Sequence, residues 1–182
     1  MKDDSEPLST IEVFFREAVH ESLHDRLGLR NMEDVENYMA GLLARFLHDE
    51  KIFAIRDAHG RRVRSVAEML AEGDVRLNAA SFEREREVHR HIGDFLLFWS
   101  GLFPEFLDSI RDHAADGLID AVRQGSESYY IVSSFDYAPY DSEAPTFRKL
   151  SNEFLACREG LRLMRGSFEG FRRQGWKDGF EA

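Results

Sequence analysis

Between Glu83 and Phe103 the chain changes character in the middle of what reads as one helix. EREREVHRH alternates acids and bases on an amphipathic surface, whereas FLLFWSGLF, from Phe95 to Phe103, is apolar nearly all round. A helix that is apolar on every side must be surrounded by protein or by lipid. The run IGDFLLFWSGLFPEFL contains Asp94 and is closed by Pro104 and Glu105, so it falls short of the ~20 apolar residues of a membrane span. It is therefore expected to be a core helix, running from the surface into the interior. This predicts a mainly α fold: a compact single-domain helical bundle with a buried central helix around Phe82–Phe103. At 182 residues the whole chain fits one domain, with residues 1–8 and 175–182 expected to fray.

Charge bounds the partners. A net charge of -10 repels phosphate backbones and anionic lipid heads, so neither nucleic acid nor a membrane is an expected partner. The 15 Phe imply a thick core, a buried subunit interface or both, which makes a homodimer the expected assembly. Cys157 stands alone, and MKDDSEPLST lacks the basic-then-apolar order of a secretory leader. Both point to a cytoplasmic protein.

The remaining helices follow from caps and periodicity. Ser9-Thr10-Ile11-Glu12 has the order of a capping box. Ile11, Phe14, Phe15, Ala18, Ser22 and Arg26 then recur at helical spacing up to Gly28, a candidate left-handed terminator. A second helix is predicted to open at Asn31 and to carry Val35, Tyr38, Met39, Leu42, Leu43, Phe46 and Leu47 on one face. Ile52 to Ile55 reads as either strand or helix and precedes a turn at Asp57-Ala58-His59-Gly60. Ser65 should cap a short helix ending near Gly73, and Pro104 should end the central one.

Short helical pieces are expected over residues 105–113 and 118–122, with a break at Gly125-Ser126. The aromatic segment SYYIVSSFDYAPY favours helix over strand because of its helical neighbours. A single last helix is predicted from Pro145, with Phe147, Leu150, Phe154, Leu155, Leu161 and Met164 as its apolar contacts.

His20-Glu21-Ser22-Leu23-His24 matches H-E-x-x-H, in which two imidazoles one turn apart bind zinc and the glutamate activates water. At about 100° per residue, however, His20 and His24 project roughly 150° away from the apolar face of this helix. Asp25 and Arg26 then stand where metalloproteases place uncharged and apolar residues. Glu33, Glu36 and Glu50 lie downstream, and nothing in the sequence singles one out as a third ligand. Glu17-x-x-His20 also matches half of a di-iron bundle motif, without a second half on another helix. The expectation is a solvated polar face and no cofactor, with zinc at His20 and His24 as the alternative.

On the central helix Arg90 and Asp94 lie one turn apart, where an ion pair carried into the interior is expected. Gly93 beside them gives up about 1 kcal/mol of helix propensity, which implies close approach of another group. His89 reads as a boundary histidine, and Ser100 as bonding back to a carbonyl one turn earlier. Tyr129 and Tyr130 are expected to pack with their hydroxyls on polar partners. Together Arg90, Asp94, His89, Ser100, Tyr129 and Tyr130 are the candidate ligand-binding residues.

Three stretches resemble a family of bacterial all-helical proteins with no known activity. They are Tyr38-Met39-Ala40-Gly41-Leu42-Leu43 with Phe46; Arg90-His91-Ile92-Gly93-Asp94 with Leu97-Phe98 and Ser100-Gly101-Leu102-Phe103; and Tyr129-Tyr130 followed by Tyr137 or Tyr140. The resemblance implies a helical fold and no particular reaction. His20 and His24 are not part of it.

Toward the C-terminus Arg158, Arg162, Arg165, Arg172 and Arg173 interleave with Phe168, Phe171 and Trp176, which reads as a solvated helix face with aromatic anchors. Cys157 reads as a small buried residue. The leading expectation is a non-catalytic module that binds a protein partner or a small ligand. The alternatives are a metal-dependent hydrolase using His20-Glu21-x-x-His24, and a ligand sensor or enzyme with a pocket at Arg90 and Asp94.

Overall fold

The computed structural model describes residues 10–111 and 119–175. Among them the chain forms helices α1 (Thr10–His20), α2 (Glu33–Arg45), α3 (Asp49–Ile52), α4 (Val66–Gly73), α5 (Phe82–Leu102), α6 (Pro104–Arg111), α7 (Ala121–Ser133), α8 (Ala144–Asn152) and α9 (Phe154–Gly175). A π-helical stretch, Glu21–Arg26, continues α1. The only β pairing among the described residues is an isolated antiparallel bridge between Arg56 and Arg62. No helix among them is long and apolar enough to cross a membrane. The fold is mainly α, as the sequence predicts.

The central helix α5 begins where Ser81 accepts the Arg84 N–H, and it packs against α4, α6, α7 and α9. Every residue from His91 to Trp99 is buried. Gly28 takes a left-handed φ of 71° and closes the π stretch, and Ser65 caps α4. On α2 the predicted face is realised, with Val35, Met39, Leu42, Leu43 and Phe46 buried. Rings from separate elements meet in the core: Phe168 of α9 lies 5.7 Å from Phe15 of α1 and 6.2 Å from Phe98 of α5. Cys157 is buried and free, and burial pushes its thiol up to about 12.

Several boundaries differ from those expected. Gly125-Ser126 does not break a helix; α7 runs through it from an Asp120 cap. Phe154 fills the space that a Gly125 side chain would need, and Ser126 Oγ donates to the Ser151 carbonyl at 2.8 Å. The residue types that suggested a turn are there for close packing. The predicted last helix is two helices, interrupted at Glu153, and Leu155 is exposed rather than an apolar contact.

Asn31 does not open α2. It sits at φ 57°, a conformation Asn tolerates, and its carbonyl accepts from Lys149 Nζ at 2.9 Å. Arg26, placed on the apolar face by α-helical counting, is exposed, because the chain is already in π-helical register there. Ile52 ends α3, and Ile55 is buried just ahead of the Arg56–Arg62 bridge. Tyr129 and Tyr130 are helical, whereas Tyr137 and Tyr140 lie in turns. Ser9, residues 1–8, His113, Leu118 and residues 176–182 lie outside the described residues, as do the side chains of Phe171, Arg172 and Arg173.

A Cβ at Gly93 would lie 2.5 Å from the Tyr129 ring, the close approach the sequence implies, whereas nothing lies within 4 Å of one at Gly166. The two glycines should respond with opposite sign in urea denaturation. Gly93→Ala is expected to cost about 1–3 kcal/mol through overpacking. Gly166→Ala should gain up to about 1 kcal/mol of helix propensity.

Candidate functional site

Asp94 is the charged residue at the centre of α5, only 4% exposed. Burying a carboxylate costs several kcal/mol unless donors replace its water, and three side chains from two other helices do so. Tyr38 on α2 donates its hydroxyl to Asp94 Oδ1 at 2.6 Å, and Tyr129 on α7 donates to the same oxygen at 2.8 Å. Arg45, two turns beyond Tyr38, reaches Asp94 Oδ2 at 3.2 Å. The spacing of Tyr38 and Arg45 puts both on the side of α2 that faces Asp94.

Arg90 does not bond Asp94 directly. Its Nε donates to the Tyr38 hydroxyl at 3.2 Å, so the expected ion pair is relayed through a tyrosine, and the cation on Asp94 is Arg45. Arg90 and Arg45 both lie near the Tyr38 ring, 5.4 and 5.6 Å from its centre. One turn before Arg90, buried Arg86 stacks on Tyr140 at 4.1 Å and donates to Glu143 Oε2 at 2.5 Å. Phe147 of α8 packs between these groups, 5.0 Å from Tyr38 and 5.7 Å from Tyr129. The result is a polar seam where α2, α5, α7 and α8 meet.

Of the remaining candidates, only Tyr129 joins the seam. Tyr130 is half exposed, with Arg148 over its ring at 4.3 Å, because adjacent helical residues diverge by about 100°. His89 lies 3.4 Å from Ser128 Oγ, and burial lowers its basicity. Ser100 bonds back to the Leu96 carbonyl at 2.5 Å, as expected. Sequence reasoning missed Tyr38 and Arg45 as partners of Asp94. The signal available was a polar pair seven residues apart on an otherwise apolar helix face.

The H-E-x-x-H residues form a separate cluster. The His20 and His24 rings stack 4.7 Å apart, inclined by 16°. His20 Nδ1 lies 2.9 Å from Glu36 Oε2, and His24 Nδ1 lies 2.8 Å from Asp25 Oδ1. The solvated polar face is thus only half realised, since Glu36 is 6% exposed and holds one of the rings. Glu36 raises the basicity of His20 through that hydrogen bond. Glu21, the water-activating position of the motif, is tied to Arg26 at 2.6 Å.

An open cleft of about 420 Å³ lies elsewhere, lined by Asp57, Arg61, Arg62, Glu68 and Glu72 among others. Arg61 is paired with Asp57, and Glu72 accepts from Asn78. On the helical face near the C-terminus, Arg162 pairs with Glu159, and Arg165 pairs with Glu105 and Glu169. Phe168, expected among its aromatic anchors, is buried in the core instead. No protein-family model, curated protein or solved structure matches this chain.

Burial, and then the adjacent Asp94 charge, hold the hydroxyls of Tyr38 and Tyr129 above the ordinary tyrosine value of 10.0. A group whose pKa is raised on folding contributes stability that is fully present below the unfolded value and is lost as pH rises from there through the folded value. Native protein is therefore expected to lose stability above about pH 10. The loss should be shallower in Tyr129→Phe, as followed by circular dichroism against pH.

Proposed function

We propose that this protein is a non-catalytic binding module whose seam at Arg90 and Arg45 takes a small anionic ligand through a carboxylate or phosphate group. One observation carries the reading. Three guanidinium groups, Arg45, Arg86 and Arg90, share two carboxylates, Asp94 and Glu143, which leaves one positive charge unbalanced in a chain whose net charge is -10. The terminal nitrogens of Arg90 make no hydrogen bond to any described residue. A planar fork with free donors is suited to a carboxylate or phosphate.

The same geometry speaks against proton chemistry at the seam. Two tyrosines that hold their protons this tightly are poor general bases near neutral pH. Asp94 already accepts from three donors. Hydrolysis at His20-Glu21-x-x-His24 is the less favoured reading, because Glu21 is committed to Arg26.

Self-association is supported by a different observation. Leu77 and Phe82 are 66% and 62% exposed, and neighbouring Val75 is exposed as well. Exposed apolar groups close in sequence favour a partner surface, here a second copy of the chain. A cytoplasmic setting fits a chain whose single cysteine is a buried free thiol.

The anion reading is tested by thermal-shift measurements against phosphate and small mono- and dicarboxylates. At least one of them should raise the melting temperature of the wild type and leave Arg90→Met unmoved. Equal shifts in both proteins, or none in either, would contradict it. Self-association is checked by sedimentation velocity over a concentration series, in which Phe82→Lys should shift the population toward monomer. A strict monomer at every concentration would remove that reading.

A further inference from the structure

The His20–His24 cluster has an arrangement that neither a solvated face nor the anion seam explains. Each imidazole has its Nδ1 against a carboxylate: Glu36 Oε2 for His20 and Asp25 Oδ1 for His24. An ionised carboxylate only accepts, so in each ring Nδ1 carries the proton and donates. In a neutral ring the lone pair then sits on Nε2. For His24 a second partner gives the same assignment, because the Arg30 guanidinium contacts Nε2 and a guanidinium can only donate. His20 Nε2 has no partner among the described residues.

Carboxylates that hold Nδ1–H of histidines and leave Nε2 free are the orienting partners of metal-binding imidazoles. They come here from two different elements, Glu36 from α2 and Asp25 from the π stretch itself. Glu36 is buried, and among the described residues its hydrogen-bond partner is His20. The π stretch is the other departure from ordinary structure. The Leu27 N–H reaches back five residues to the Ser22 carbonyl, and the chain closes with Leu29 N–H on the Leu23 carbonyl. Such single π turns concentrate at functional sites. Here the turn follows His20, and the two rings lie in near-parallel register.

We propose that His20 Nε2 and His24 Nε2 form a two-histidine site for a divalent transition-metal ion such as Ni²⁺, Cu²⁺ or Zn²⁺. In the absence of metal, Arg30 occupies the lone pair of His24. One donor atom from each of His20, His24 and Asp25, a ring nitrogen in the case of the histidines, lies within 4.8 Å of the other two. An ion bound at about 2.0–2.1 Å to two nitrogens spans at most about 4.2 Å, and because each lone pair lies in its ring plane, the two stacked rings must turn toward each other as Arg30 swings away for both Nε2 atoms to face one ion. Water fills the other positions. Imidazole donors with open coordination suit these borderline metals better than Mg²⁺ or Ca²⁺. The site needs no hydrolytic role for Glu21 and shares no residue with the anion seam, so either reading can fail without the other.

The full-length chain, with no affinity tag, is titrated calorimetrically with Ni²⁺ alone, and then with Mg²⁺. The expected result is one Ni²⁺ per chain, no response to Mg²⁺, and affinity roughly ten-fold or more weaker in His20→Asn and in His24→Asn. Arg30→Gln should bind Ni²⁺ more tightly than the wild type, because it removes the competing cation while leaving both ligands. That variant alters an exposed side chain and keeps the test decisive if a histidine variant folds poorly. The proposal is overturned if wild type shows no saturable binding up to about 1 mM Ni²⁺, if both histidine variants bind as wild type does, or if Arg30→Gln binds more weakly.

Discussion

The fold depends on a carboxylate buried in the middle of its most apolar helix. Asp94 would be untenable there alone, and its three donors come from α2 and α7. A buried charge that needs partners from separate elements acts as a registry pin. Sliding α2 by one residue along α5 would strip both Tyr38 and Arg45 from Asp94 and leave the charge without its cation, at a cost of about 3–5 kcal/mol, and sliding α7 would strip the Tyr129 hydroxyl. Hydrophobic contact tolerates such slips far better, because apolar side chains can repack. Gly93 is the steric counterpart of the same pin, since the Tyr129 ring that donates to Asp94 lies over it.

This constraint explains why the seam is both ordered and charged. Phe147 packs against Tyr38 and Tyr129, and Arg90 and Arg86 stack on Phe147 at 5.6 and 5.7 Å. Cations that lie over aromatic faces retain their charge in partly dry surroundings. The seam therefore keeps guanidinium groups at the margin of the core, where a ligand's charge would be felt strongly. In the proposed reading, binding is a by-product of how the fold is pinned, with Arg90 as the residue left over once Asp94 is satisfied. The two-histidine cluster follows a separate irregularity, the π turn after His20, and shares with the pin only α2, which carries Glu36.

Much of the fold was legible because its signals are local. Ser65, Ser81 and Gly28 do what their residue types imply, and the apolar stripe of α2 is buried as its periodicity requires. Gly93 signalled a close approach, and the Tyr129 ring provides it. Three of the misreadings share one cause: a residue whose local preference was overridden by a distant partner. Gly125 suggested a turn, yet it makes room for the ring of Phe154, a residue far along the chain on α9. Asn31 suggested a cap, yet it bonds Lys149. The Arg90–Asp94 spacing indicated an ion pair, and the structure inserts Tyr38 between them, a partner from another helix that spacing alone does not disclose. For Glu36, likewise, only tertiary packing singles it out from Glu33 and Glu50.

The claim that Asp94 is the pin on which helix register depends is tested most directly by a double-mutant cycle between Asp94→Asn and Tyr129→Phe, read by urea denaturation. If the tyrosine hydroxyl matters because it serves the buried charge, the two substitutions must be strongly non-additive, with a coupling energy of about 1–3 kcal/mol. Losses that add to within about 0.5 kcal/mol would mean that Tyr129 stabilises the fold only by packing, and would contradict the account.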